Sequence, residues 1–381
     1  MKLTLLNLIN LNMKILHISG AKSWGGNEQQ LVDIIPELEK NEIENVVFGV
    51  KDSPLYTYCE VNKIDFIKAK ETKLNKFVNY KFLKKIVNEE RPDLIHLHTN
   101  NAVTVFVISD ILYRLKTQAV FSKKGMGRSM SFLSILKYNY KNIKSIICVS
   151  NFVKSEMSKN VIWKKNHYKL NVIYDSINQN RLSNVHPQDI RKLYNINVED
   201  KIIGNIANHT SAKDLITLLK AISFIVHSLN FKNFKLIQIG EFSDLTEDLK
   251  NSIRELKIEN YVVFTNFIDQ GYLHIQYFDV FVISSEREGG PTAALEAFFY
   301  RTPVISTKVG VLKECIEDNF NGLLVDVKDY KELAKKIVEV LKVENLGVKL
   351  ADAAKITLNN KFTIEKITSQ LIAEYYKEVN Y

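Results

Sequence analysis

Cysteine is scarce: Cys59, Cys148 and Cys315 are three in 381 residues, odd in number and widely separated. That excludes a disulfide framework and a zinc-ligand spacing, and it suits a reducing, cytoplasmic compartment. Nowhere does the chain offer the ~18 uninterrupted apolar residues of a membrane span, so an integral membrane protein is not expected. No known nucleic-acid module or basic stripe with interleaved aromatics appears, which argues against a nucleic-acid partner. The loop after the first strand lacks the Gly-x-Gly-x-x-Gly spacing of a dinucleotide site. The opening MKLTLLNLINLN is too polar for a signal-peptide core; residues 1–12 read as an extension, with Met13 opening the first strand.

With 46% hydrophobic and 25% charged residues, the composition is that of an ordinary globular protein. The length suits two α/β domains of roughly 150–200 residues each. Apolar strands alternate with helical patterns: KILHIS, VVFGV, LIHLH and SIICVS in the first half, then IIGNIA, KLIQIG, YVVFT, VFVIS, PVIST and LLV. That alternation predicts parallel sheets with crossover helices. A polar stretch at 176–201, with one short helix over RKLYNI, marks the boundary, so the expected domains are 13–180 and 190–360. Residues 361–381 form a closing helix with Ile364, Ile367, Leu371, Ile372 and Tyr375 on one stripe.

The most informative stretch is SSEREGGPTAALEAF, Ser284 to Phe298. It joins an apolar strand to an Ala/Leu-rich helix, the junction where open α/β sheets bind ligands. Gly289 and Gly290 let the backbone approach a ligand, and Pro291 suits the first helical position. The free N–H groups that follow, at Thr292 and Ala293, point at an anion such as a phosphate. Glu288 precedes the helix and Glu296 lies inside it, so the two carboxylates reach one ligand from different depths.

Two glutamates at this spacing, followed by RTPVISTKVGVLKECIEDNFNGLLV, resemble the donor-site signature of the retaining GT-B glycosyltransferases of family 4. The resemblance runs through nearly the whole chain from Met13, taking in KILHISGAKSWGGNEQQL, PDLIHLH, ICVSNFVKSEM, NVIYDSIN and IIGNIANHTSAKDLITLLKAI. It implies an α/β, GT-B fold: two Rossmann-like doubly wound domains facing a central cleft, the first on the acceptor side, the second on the nucleotide-sugar donor side. The closing helix then crosses back to the first domain. The implied activity is transfer of a sugar from a nucleoside-diphosphate sugar to a glycan or lipid-linked acceptor, with retention, in bacterial surface polysaccharide or glycolipid synthesis. The nucleotide sugar is a co-substrate, and neither cofactor nor metal is expected, since the chain has no Asp-x-Asp. A nucleotide-sugar epimerase of the same fold, or a non-catalytic sugar-nucleotide binder, remains an alternative.

Residue by residue, the resemblance assigns Glu288 to the donor sugar, Glu296 to the ribose hydroxyls and Lys213 to the departing diphosphate. Gly25, Gly26 and Glu28 belong to the loop that closes over the donor. Where many members carry an arginine five residues before the lysine, this chain has Asn208; His209, Lys308 or Arg287 could replace it. The base is expected near Ile239–Phe242 and Thr265–Ile268. His98, at the end of its strand, lines the site and is expected to donate a hydrogen bond to a sugar hydroxyl. His96 and His98 are expected on opposite faces of that strand, without a joint metal site. Pro36 is expected to kink the first helix.

A net charge of +9 and a pI near 9.1 favour acidic partners. Lysines cluster in FVNYKFLKKIVNEE and ILKYNYKNIKS, which fits either an anionic membrane surface at the inner face or a solvated lysine-rich face. In SKKGMGRS, Lys123, Lys124 and Arg128 are candidates to hold an acceptor's phosphate.

Overall fold

Seven parallel strands form the first sheet: β1 (Met13–Ser19), β2 (Ile43–Gly49), β3 (Phe66–Lys68), β4 (Leu94–Leu97), β5 (Gln118–Lys123), β6 (Ile143–Cys148) and β7 (Leu170–Val172). They lie in the order β3-β2-β1-β4-β5-β6-β7. The structure is a computed structural model and describes residues 13–125, 131–183, 185 and 187–379. A second parallel sheet, ordered β10-β9-β8-β11-β12-β13, holds β8 (Lys201–Ile206), β9 (Phe234–Ile239), β10 (Val262–Phe264), β11 (Val280–Ile283), β12 (Val304–Thr307) and β13 (Leu323–Val325). Both are Rossmann-like α/β arrangements.

The sequence dictates this because a parallel strand covered on both faces must be apolar nearly throughout. β1, MKILHIS, is buried at six of its seven positions, and all four residues of β11, VFVI, are buried. Helices cover the faces. In the first sheet's unit the core takes Leu16, Ile18, Phe48, Ile95, Leu97, Phe106 and Phe121. The second sheet is sandwiched between one cluster with Phe281, Ile283, Leu295 and Phe298 and another with Ile203, Leu218, Ile222, Leu236 and Ile337. Each such side chain contributes about 1.5–3 kcal/mol when fully buried.

The chain divides into two units. The first holds residues 13–149, 153–173 and 364–379, and the second 150–152 and 174–363. The last helix, Ile364–Val379, therefore belongs to the first unit, where it packs on β4, β5 and the helix Gly26–Glu39. It buries Ile364, Ile367, Thr368, Leu371 and Tyr375. The Gly26 helix runs on through Pro36 to Glu39, and the Pro36 carbonyl still accepts from the Lys40 N–H at 3.2 Å.

Strand order gives each sheet a switch point. In the first sheet β1 is flanked by β2 and β4, and in the second β8 is flanked by β9 and β11. Chain direction across the sheet reverses at these points, which opens a crevice beyond the strands' carboxyl ends. Beyond β1 and β4 that crevice meets Gly20 and His98; beyond β8 and β11 it meets the loops of Lys213 and Glu288.

Candidate functional site

The loop after β8 turns through a short 3-10 segment, Ser211–Lys213, and enters the helix Leu215–His227 through Asp214. Asp214 has φ +43 and caps that helix, accepting from the Thr217 N–H at 3.3 Å and its hydroxyl at 2.6 Å. This turn aims Lys213 at the loop after β11. The two loops are laced together: the Ala212 carbonyl accepts from the Glu286 N–H at 2.9 Å, and the Lys213 carbonyl accepts from Ser284 Oγ at 3.1 Å.

Lys213 Nζ lies 2.8 Å from both carboxylate oxygens of Glu288, and Ser285 Oγ donates to Oε1 at 2.5 Å. Residues 75 apart in sequence thus form one bidentate ion pair. Gly310 supports it from beneath: its φ is +47, and a Cβ there would sit 2.4 Å from the Glu288 carbonyl oxygen. Gly290 is equally crowded, since its Cβ would fall 2.5 Å from Asp175 Oδ2. Pro291 stands one place earlier than expected, as the residue before the helix Thr292–Phe299, and its carbonyl accepts from the Leu295 N–H at 2.9 Å. No side chain caps this end, so the first-turn N–H groups and the positive end of the helix dipole are offered to an anion.

Glu296 sits one turn inside that helix, buried, with its Oε1 3.2 Å from Arg181 Nη2. Arg181 comes from the short helix Gln179–Ser183 and lies over the Tyr272 ring, 4.2 Å from its centroid. Sequence reasoning missed Arg181, which falls in the polar stretch read as a boundary; a lone arginine there gives no periodic signal.

The position of the missing arginine has a structural explanation. Asn208 Oδ1 accepts from the Glu241 N–H at 3.0 Å, while Asn266 Oδ1 accepts from the Phe242 N–H at 3.1 Å, so the two segments expected to meet the base are stitched side by side. His209 does not supply a cation. Its Nδ1 lies 2.8 Å from Thr246 Oγ1 and its Nε2 2.8 Å from Gln238 Oε1, and burial lowers its pKa from the ordinary histidine value. Lys308 pairs with Asp326 at 3.2 Å, and Arg287 is exposed.

In the first unit, Gly25 precedes the helix opened by Gly26, in extended backbone that any residue adopts (φ −162); a Cβ there would meet Glu28 Oε2 at an ordinary 3.5 Å. Glu28 is buried in the first turn, and that burial raises its carboxyl pKa. Lys123, at the end of β5, is buried 5.9 Å from the Tyr138 centroid and its pKa is lowered by burial, whereas Lys124 is partly exposed. Arg128 lies outside the described residues, as do residues 1–12.

The histidine expectation is corrected. Strand side chains alternate with a period of two, so His96 and His98 share a face, and their ring centroids are 4.0 Å apart. His17, the register partner of His96 on β1, completes the group. One nitrogen from each of the three lies within 4.8 Å of the others, the spacing of a possible metal cluster. The rings are hydrogen-bonded: His17 Nδ1 lies 3.0 Å from His98 Nε2, and His96 is held by Ser122 Oγ at 2.8 Å and Tyr375 Oη at 2.6 Å. Burial pushes all three below the ordinary histidine pKa, His17 to about 4. The set is a hydrogen-bonded network of neutral rings.

Two family models match the chain in succession, Glycosyltransferase Family 4 over residues 24–180 and Glycosyl transferases group 1 over residues 187–357. The chain belongs to glycosyltransferase family 4. An uncharacterized glycosyltransferase of Methanocaldococcus jannaschii is 27% identical over 93% of this chain and 95% of its own length. The O-antigen biosynthesis glycosyltransferase WclY of Escherichia coli is 23% identical over 96% of this chain and 98% of its own length. Among solved structures, that of Anabaena HepE in complex with UDP and glucose superposes with a TM-score of 0.83 at 19% identity, covering 96% of this chain and all of that one. The fold is GT-B. Among the described residues no helix is long and apolar enough to cross a membrane.

Proposed function

We propose that this family 4 glycosyltransferase moves a sugar from a nucleoside-diphosphate sugar to a glycan or lipid-linked acceptor, with retention of configuration and without a metal ion. The observation that carries the reading is the Lys213–Glu288 pair beside an uncapped helix end at the β8/β11 switch point. Such a transfer separates a cationic, oxocarbenium-like sugar from an anionic diphosphate. Lys213 and the N–H groups of Thr292 and Ala293 serve the negative end, where a flexible ammonium can follow a moving phosphate. Glu288 serves the positive end, a carboxylate beside developing positive charge, acting mostly in the transition state. Glu296, oriented by Arg181, takes the ribose hydroxyls. Attack from the leaving group's own face, with a diphosphate oxygen receiving the acceptor's proton, needs no protein nucleophile and gives retention.

The bound UDP of HepE and the O-antigen role in the name of WclY support a nucleotide-sugar donor and a surface glycan as product. For the acceptor side, the helix Phe132–Tyr138 leaves Phe132 and Leu133 more than 70% exposed, and Phe77 is comparably open at the start of the helix Phe77–Glu90. Apolar side chains among lysines suit the headgroup layer of an anionic membrane, so we place the enzyme at the inner face of the cytoplasmic membrane, taking a lipid-linked acceptor. Lys124 then offers its charge to an acceptor phosphate.

A thermal-shift screen of UDP, GDP, ADP and their sugars identifies the donor, and turnover is then followed with and without chelator. Donor consumption that requires acceptor, an α-linked product from an α-linked donor and an unchanged rate in chelator are expected. Conversion of the donor without acceptor would instead indicate an epimerase. Nucleotide binding without any turnover or donor hydrolysis would indicate a non-catalytic binder.

A further inference from the structure

The pairing of β1 with β4 gathers three histidines inside the first unit. His17 and His96 are register partners, and the His98 N–H extends the ladder by donating to the Ile18 carbonyl at 2.9 Å. All three are buried, and one nitrogen of each lies within 4.8 Å of the other two. A tetrahedral ion held by imidazoles at about 2.0–2.1 Å spaces its ligand nitrogens roughly 3.3 Å apart. The 3.0 Å between His17 Nδ1 and His98 Nε2 is close to that gap.

The surroundings are those that orient metal-bound histidines. A ligating imidazole donates its other ring N–H to an oxygen, which fixes the tautomer and turns the bare nitrogen to the ion. Asn45, on β2, does this for His17: its Nδ2 donates to the Ile43 carbonyl at 2.8 Å, leaving Oδ1 to face His17 Nε2 at 2.9 Å. A carbonyl oxygen only accepts, so a neutral His17 has its hydrogen on Nε2 and a lone pair on Nδ1. His96 has a hydroxyl at each nitrogen, Ser122 and Tyr375, so turning either nitrogen to an ion leaves the other held. His98 Nε2 donates to His17 Nδ1 in the structure. When an ion takes both nitrogens that hydrogen moves to His98 Nδ1, and no proton is released. Burial keeps the rings neutral at pH 7, the form in which imidazole ligates.

We propose that His17, His96 and His98 form a binding site for a transition-metal dication, zinc above all, with Asn45 and a hydroxyl of Ser122 or Tyr375 as its outer support. The donor set selects the class: three imidazoles suit zinc, copper, nickel or cobalt, whereas magnesium and calcium need oxygen ligands. The Lys124 charge near His96 and His98 opposes a dication, so the imidazole bonds must supply the affinity. A bound ion joins β1 to β4 within the first unit and takes no part in the sugar transfer proposed above.

Untagged full-length protein, stripped with chelator and dialysed, is titrated with zinc chloride by calorimetry and with cobalt chloride in the visible spectrum. A single equivalent of each ion is expected, cobalt with the intense d–d bands of a four-coordinate centre, and zinc should raise Tm. His17→Phe and His96→Phe should each abolish the equivalent. Asn45→Leu, which removes no ligand, should weaken zinc by about 10–100-fold, as for loss of an outer-shell partner. Where a histidine variant fails to fold, ring-nitrogen NMR of the wild type decides: zinc should shift His17 Nδ1 and His98 Nε2 together and leave His167 and His227 unmoved. Failure of both ions to bind, an equivalent retained by both histidine variants, or zinc shifts confined to His167 or His227 would overturn the proposal. Nucleotide-sugar binding is measured separately, so failure of the donor reading leaves the metal result standing.

Discussion

Lys213 Nζ sits 2.8 Å from both oxygens of Glu288, so the two groups assigned to opposite charges of the transition state neutralise each other in the free protein. Lys213 retains 30% exposure and Glu288 13%. With its lysine this open to water, the pair is worth on the order of 1 kcal/mol, and an arriving diphosphate can draw Lys213 away at small cost. In the proposed reaction Glu288 turns to the sugar as the lysine turns to the phosphate, so the ion pair is the proposed resting arrangement of two groups that separate on binding.

The two residues should fail differently when replaced. Lys213→Ala is expected to weaken free nucleoside diphosphate by about tenfold and to lower kcat by roughly 10²–10³, as for loss of one preorganised charge donor. Glu288→Gln should lower kcat while leaving diphosphate affinity unchanged or tighter, because Lys213 loses its competitor. Calorimetry with the free diphosphate beside steady-state kinetics separates the cases; loss of diphosphate binding in Glu288→Gln would mean the roles are reversed.

Arg181 and Glu296 form a more enclosed pair, with 14% and 9% exposure. Removing one partner takes an opposite charge from the other where little water reaches. Arg181→Met is expected to destabilise the second unit by about 3 kcal/mol and to weaken nucleotide binding as the Glu296 carboxylate loses its orientation. Urea unfolding gives the first quantity and calorimetry the second; an unchanged midpoint would show that Glu296 is compensated elsewhere.

How far this site was legible in sequence follows from what each residue needed. Glu288 and Glu296 were named from a motif at a strand-helix junction, which fixes their surroundings locally, and Lys213 from the family resemblance. Arg181 was not, because its role exists only once the second unit folds and brings residue 181 to residue 296. The same holds for the strands: central β1, β4, β8 and β11 read as apolar runs, whereas β3, β5 and β7 were not picked out. β3 and β7 are three-residue edge strands, and β5 carries polar residues at both ends. The histidine cluster was misread through the strand period, and its third member, His17, lies on another strand.

Gly310 touches the backbone of Glu288 from a loop 22 residues downstream of it in sequence, and its φ of +47 is one that L side chains rarely adopt. Gly310→Ala is expected to cost about 1–3 kcal/mol in stability through strain alone. The added Cβ also pushes on the Glu288 carbonyl, so kcat should fall while affinity for free nucleotide, carried by the Thr292 helix end and Glu296, changes less. Thermal denaturation and steady-state kinetics on the same preparation check both; a stable, fully active Gly310→Ala would show that the loop relaxes freely.

Membrane attachment through the exposed Phe132 and Leu133 predicts that a Phe132→Ser, Leu133→Ser double variant loses sedimentation with vesicles containing anionic lipid, while its fold and turnover of a soluble acceptor are unaffected. Equal sedimentation of variant and wild type would move the contact elsewhere or remove it.

Acid should destabilise the first unit through its buried histidines. The pKa of His17 is held at about 4 against an ordinary 6.5, and those of His96 and His98 are lowered in the same direction by burial, by their neighbouring histidines and by the Lys124 charge. Above the unfolded value neither folded nor unfolded chain binds a proton at His17, and the contribution is fully present. As pH falls below it the unfolded chain takes up a proton that the folded one refuses, so stability drops until the folded pKa is reached, where the slope flattens. A depression of this size is worth about 3 kcal/mol for His17. Urea unfolding at about pH 7.5 and about pH 4.5 compares wild type with His17→Asn, which keeps a buried acceptor but cannot titrate. The wild type should lose more stability between the two conditions than the variant, by a margin approaching that figure, since carboxylates contribute equally to both. Identical losses would mean that His17 titrates normally in the folded protein, and its ring would then have to be open to water.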